Sequence, residues 1–252
     1  MKTDQILRQL IDKTFILTLK INKKQIQKEE QKILVSIQKN FKTSGFRPGK
    51  APLNIVKQNT SDSKIVEEVI SRLVPQLYSQ KIKEFKLKPI IQPQVQFKNP
   101  PITLNKDWQI EITACQLPPL ALKNSYQSQI KKINSTKDKN KIGKIAQVLI
   151  KNSQVKIPPI LIQADLQKQL SSLIDQTQQA SITVNQYLQS KKTNLEQYKK
   201  DLASRIKEQW TLNLAIDKIA QDQKITLPPS SSSPQARHVA IQQKVMDFLQ
   251  NL

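Results

Sequence analysis

Most of the chemistry this chain offers is concentrated in eight residues, Gly45-Phe46-Arg47-Pro48-Gly49-Lys50-Ala51-Pro52. Two of only three glycines in the chain lie here, four positions apart. A glycine-poor chain keeps two together where the backbone needs a positive φ or a close approach. Such a loop would present one aromatic ring, one guanidinium and one ammonium, with Lys39, Lys42 and Lys57 flanking it. Four readings compete. The loop could simply connect two helices. A phosphate cradle of the P-loop type needs Gly at Ser44 and Ser or Thr at Ala51, and Pro48 removes a donor. A free RNA-binding loop suits the cations, but the chain has few aromatic stacking platforms elsewhere. The fourth is a docking tip for a composite protein–RNA surface. Phe46 would be its apolar anchor, and Arg47 and Lys50 would meet carboxylates and phosphates.

Other reactive side chains are sparse. One cysteine, Cys115, and one histidine, His238, exclude a disulfide framework, Cys-based zinc sites and His-pair metal sites. No metal, cofactor or catalytic residue is expected. Cys115 reads as a free thiol for packing or surface, His238 as a solvated residue at a helix start, and Glu67-Glu68 as a solvated face. Tyr198 and Trp210 read as one helical face, either core or a weak apolar patch for unfolded segments.

The elements that must hold the loop follow from periodicity. Phe15 to Ile21 is β-leaning. Ile26, Glu30, Ile33, Ile37 and Phe41 form a helical stripe running into Thr43-Ser44-Gly45, where Gly45 would stop the helix. A second helix starts near Asp62 or Ser63 and carries Ile65, Val66, Val69, Ile70, Leu73, Val74 and Leu77, with Pro75 as a local irregularity. Ile91, Val95 and Phe97 share one parity beside Pro89 and Pro93, which suits an edge strand. Trp108, Ile110, Ile112 and Ala114 alternate with polar neighbours, the cleanest period-two signal in the chain. Residues 1–117 therefore read as an α+β domain with an antiparallel or mixed sheet, closed by Pro118-Pro119.

Residues 118–252 read as all-α, with no strand beyond Pro119. The helices are Leu122 to Ile133, a face of Ile142, Ile145, Val148 and Leu149, and a long one opened by Pro158-Pro159. A short helix at Tyr187-Leu188, a long one capped by Asn194 and a last one through Val245 and Leu249 complete the set. Asn134 to Asn140 is a polar loop, and Pro228 to Pro234 a Ser/Pro linker.

The 252 residues hold 41 Lys plus Arg against 19 Asp plus Glu, a net +22. Both halves carry +11, so no basic tail is grafted onto a neutral body. Only five of the basic residues are Arg, the side chain favoured for bidentate phosphate and base recognition. The charge still draws the surface towards polyanions. Met1 to Lys20 shows no signal-peptide pattern, and no run approaches the roughly 18 apolar residues needed to span a bilayer. A soluble cytoplasmic protein without membrane partners is expected.

The run Gly45-Phe46-Arg47-x-Gly49-Lys50-x-Pro52, continued by Leu53-Asn54-Ile55-Val56, resembles the ribosome-docking signature of the trigger factor family, bacterial chaperones that meet nascent chains at the exit tunnel. The flanking elements fall in family order, and Asn152 to Pro158 with the helices to Ile219 resemble the family's helical chaperone domain and its first arm. The resemblance implies a ribosome-binding domain over 1–117 and a substrate-cradling domain over 118–252. It implies docking through Gly45, Phe46, Arg47, Gly49, Lys50 and Pro52 on the large ribosomal subunit, both protein and rRNA. It also implies ATP-independent shielding of nascent or unfolded chains, in aid of folding and export, with Tyr198 and Trp210 as weak client contacts; a weak homodimer stays open. The alternative is a ribosome- or RNA-binding accessory protein without chaperone action. In most of the family a peptidyl-prolyl isomerase domain is inserted where this chain has only the loop 134–140, too short for a domain of roughly 100 residues. No isomerase activity is therefore expected. The section after Ile225 is also shortened.

Overall fold

Alternating apolar residues make two eight-residue segments the central pair of an antiparallel sheet. The computed structural model describes residues 6–135, 140–225 and 234–252. In spatial order the sheet is β1 (Leu7–Gln9), β2 (Thr14–Ile21), β4 (Trp108–Cys115) and β3 (Gln94–Phe97), each neighbouring pair antiparallel. Phe15, Leu17, Leu19 and Ile21 stand opposite Ala114, Ile112, Ile110 and Trp108. All eight side chains are buried. Helices α1 (Lys23–Gln38) and α3 (Asp62–Glu84) supply Ile26, Ile33, Ile65 and Val69 to the same core. Removing these side chains from water is what fixes the register, since a one-residue slip would turn both strands inside out.

Local chemistry sets the helix ends. Asn22 accepts from the Gln25 backbone at 2.9 Å while the Gln25 side chain accepts from the Asn22 N–H, a reciprocal cap on α1. Asp107 accepts from the Lys23 N–H at 2.7 Å and so ties that end to the turn before β4. Three features depart from the periodic reading. Helix α1 ends at Gln38, well short of Gly45, so that glycine shapes a later turn and is no helix stop. Helix α3 continues through Pro75 to Glu84. The short elements β1 and α2 (Leu53–Gln58) lack enough residues to show a period.

The chain divides into two compact units, Met1–Leu117 and Pro118–Leu252. In the second, α4 (Ser125–Asn134) and α5 (Lys141–Asn152) pack with α8 (Leu195–Asp222) and α9 (Pro234–Gln250). Tyr126, Ile130, Ile145, Leu149, Ile216, Val245 and Leu249 form their core. Buried Asn152 accepts from the Ser125 hydroxyl at 2.7 Å and donates to the Val148 carbonyl at 2.8 Å, which satisfies both ends of its amide. Helices α6 (Pro159–Gln179) and α7 (Val184–Ser190) pack with each other and with α8. The region is predominantly helical but not wholly so. Two strands, β5 (Ala121–Leu122) and β6 (Ser153–Gln154), pair antiparallel where the α4–α5 hairpin brings its two ends together. Two-residue strands carry no alternation, so this correction to the all-helical expectation had no sequence signal. Residues 136–139 of the polar loop, 226–233 of the Ser/Pro stretch, residues 1–5 and the His238 side chain lie outside the described residues.

Cys115 is fully buried at the end of β4. Burial, and secondarily the Asp12 charge, push its thiol from 9.0 up to about 11. At pH 8 the thiolate fraction is then about a hundredfold below that of an ordinary cysteine. Alkylation of the native chain should be at least that much slower than of the chain in denaturant, as followed by mass spectrometry. Equal rates would show the end of β4 to be open.

Candidate docking site

The segment between α1 and α2 is shaped mostly by its own backbone. The Gly49 N–H donates to the Phe41 carbonyl at 3.2 Å, and the Lys50 N–H to the Arg47 carbonyl at 2.9 Å. Thr43 and Phe46 form an isolated antiparallel bridge. Gly45 and Gly49 both adopt positive φ, +83° and +78°. The side-chain amide of Gln38, the last residue of α1, donates to the Ala51 carbonyl at 2.7 Å and clips the returning chain to the helix end. Ala51 is buried and Phe41 packs against the core, so the base of the loop is anchored. Pro52 then caps α2.

The two glycines meet different surroundings. A Cβ on Gly45 would face open space, whereas on Gly49 it would lie 3.0 Å from the Lys39 carbonyl oxygen. Ala in the left-handed region costs about 1–2 kcal/mol by itself. Gly45→Ala should therefore cost about that much stability and Gly49→Ala more, because backbone must move as well. Urea melts of the two variants check this, and equal midpoints would show that the close approach is not maintained.

From this base the tip projects into solvent. Phe46 is 43% exposed, and Arg47 and Lys50 are exposed. Neither cation forms an ion pair among the described residues, and the same holds for Lys39 and Lys42. An exposed ring beside uncommitted charges is ready to bury apolar area while meeting acidic groups. Lys57 differs. Its ammonium lies 2.6 Å from the buried carboxylate of Glu30, so it joins α2 to α1. Position in the sequence gave Lys57 and Lys39 equal standing; the ion pair separates them.

Tyr198 and Trp210 are not brought together. Twelve residues apart on α8, they stand about 18 Å apart along its axis and roughly 120° round it. Both are half-buried. The Trp210 indole N–H donates to Asp165 of α6 at 2.6 Å, beside a cleft of about 220 Å³ that Arg205 and Gln169 also line. Asp165 had no visible role in the sequence, since only the α6–α8 packing places it there.

The profile of the bacterial trigger factor protein family matches residues 5–148, and that of its C-terminus matches residues 121–229. The chain belongs to the trigger factor family. The trigger factor of Bdellovibrio bacteriovorus is 33% identical over 120 residues, 48% of this chain and 27% of that protein. That of Pelobacter propionicus is 37% identical over 79 residues, 31% of this chain and 18% of that protein. The matched stretches thus span well under a third of those trigger factors. A solved structure described as "Promiscuous Substrate Recognition in Folding and Assembly Activities of the Trigger Factor Chaperone" aligns at a TM-score of 0.64 and 11% identity. It covers 98% of this chain and 99% of that one, so the trigger factor fold extends through both units.

Proposed function

We propose that this trigger factor family member docks on the large ribosomal subunit near the exit tunnel and holds unfolded or nascent chains without ATP. The 1–117 unit is read as the docking module and 118–252 as the cradle. The observation that carries the reading is the loop tip. Phe46, Arg47 and Lys50 are exposed and uncommitted on a base fixed by Gly45, Gly49 and the Gln38–Ala51 bond. No helix among the described residues is long and apolar enough to cross a membrane.

Holding clients needs adaptable apolar surface rimmed by polar groups. Ile142, Ile174, Ile182 and Leu195 are exposed in the second unit. Light scattering of an aggregating client tests this function: the chain should suppress the signal at near-stoichiometric ratios without ribosomes. No suppression, with ribosome binding intact, would favour the accessory-protein reading. That reading draws on Trp210, whose polar edge is already engaged by Asp165.

Holding without isomerisation is part of the same proposal, because 134–140 is too short for a catalytic domain. Substoichiometric protein should leave the slow, proline-limited phase of a refolding reaction unchanged. An acceleration that survives repurification would refute it.

A further inference from the structure

A groove of about 980 Å³ lies between α1 and α2, the two helices that the docking loop joins. Leu34 and Leu53 line it, together with Val35, which is 43% exposed although it is a β-branched apolar residue on a helix. Lys28, Gln31, Lys32 and Val35 recur along α1 at the spacing of one helix face and all contribute to this wall. Of the three lysines at the rim, two are already neutralised. Lys32 pairs with Glu29 at 2.8 Å and Lys57 with Glu30 at 2.6 Å. Lys28 forms no ion pair among the described residues.

That charge pattern selects the occupant. A nucleic-acid backbone needs several free cations tracking successive phosphates, and this groove offers one. It offers instead an apolar floor with a single unmatched ammonium beside it. This suits a polypeptide segment that inserts a large apolar side chain and places a carboxylate next to it. We infer that the α1–α2 groove is a second contact of the docking module and takes an acidic–apolar segment of a ribosomal protein. The inference rests on the docking reading above and names the kind of partner that lies beside the loop. The Lys57–Glu30 pair is then a positioning contact, setting the groove's width and the spacing of the loop's two ends.

The test uses the full chain and vacant ribosomes. A photo-crosslinking residue at Val35 should label a ribosomal protein. Val35→Asp should weaken cosedimentation at least tenfold, since it puts a charge into the groove's apolar lining and repels a carboxylate. Lys28→Glu, at an exposed position on α1 where the fold should tolerate it, should weaken it severalfold, while Lys28→Arg should bind like the parent chain. If both Val35→Asp and Lys28→Glu bind normally while alanines at Phe46, Arg47 and Lys50 abolish binding, docking stands and the groove inference is overturned. A crosslink to rRNA, or to a second copy of this chain, overturns it as well. If the parent chain itself does not cosediment, the docking reading fails and takes the inference with it.

Discussion

Replacing Phe46, Arg47 and Lys50 by alanine should lower affinity for vacant ribosomes by well over tenfold. The change removes an apolar anchor and two of the charges behind the net +22, leaving +20. Diffuse attraction to polyanions depends on total charge and should largely survive so small a loss. Specific docking depends on a few buried anchors, and such truncations typically cost about 2 kcal/mol or more each, though not additively. The tip is exposed and its base is held by backbone bonds, so the melting temperature should stay within a degree or two. The control with the same charge is Lys199→Ala with Lys200→Ala, both exposed on α8 in the other unit. Cosedimentation across a salt series separates the cases, because diffuse binding fades fastest with salt. Equal losses in both variants at every salt concentration would mean that general basic charge is responsible.

The second large effect concerns the 1–117 unit by itself. Its buried core is drawn wholly from its own residues, from Phe15 to Ala114. A fragment of residues 1–117 should therefore fold alone, unfold in one cooperative step and still bind ribosomes. Trp108 is 1% exposed, meets Phe97 edge-on at 6.0 Å between centroids and donates to the Thr103 carbonyl at 2.7 Å. Trp108→Ala empties the largest fully buried side chain and orphans that carbonyl, so about 3–5 kcal/mol should be lost. For a fragment of this size that is a large share of total stability. Urea denaturation followed by circular dichroism measures it. A loss under about 1 kcal/mol would show that the core closes without the indole.

What could be read from the residues, and what could not, divides along physical lines. Strand β4 and helix α1 announce themselves because one face of each is buried, and burial imposes a period. The loop was legible for a different reason: two glycines in a glycine-poor chain mark a constrained backbone, and both indeed take positive φ. Its sharpest bond, from Gln38 to the Ala51 carbonyl, spans thirteen residues and has no local signature. Lys57 looked like a free cation because Glu30, its partner, lies on another helix. Tyr198 and Trp210 looked like neighbours because steps of four residues drift slowly round a helix, and three such steps accumulate a third of a turn. The β5–β6 ladder and the Asp165–Trp210 bond are products of tertiary packing, invisible to any window along the chain.

The hydrogen bond from the Asn134 side chain to the Leu249 carbonyl, at 2.9 Å, joins the end of α4 to the last turn of α9. Val245 and Leu249 complete the core that α4, α5 and α8 begin. During synthesis this core stays unroofed after α8 has been made, until the segment ending near Leu249 has emerged. At about 5–20 residues per second, the roughly 27 residues between the end of α8 and Leu249 take about 1–5 s. The first unit has no such wait, since β4 closes its sheet long before. A protein proposed to shelter other nascent chains would thus spend seconds as one in need of shelter itself. Stalled chains ending at 225 and at 252, both extended by a tunnel-spanning linker, should show equal protease resistance in the first unit and sharply different resistance in the second.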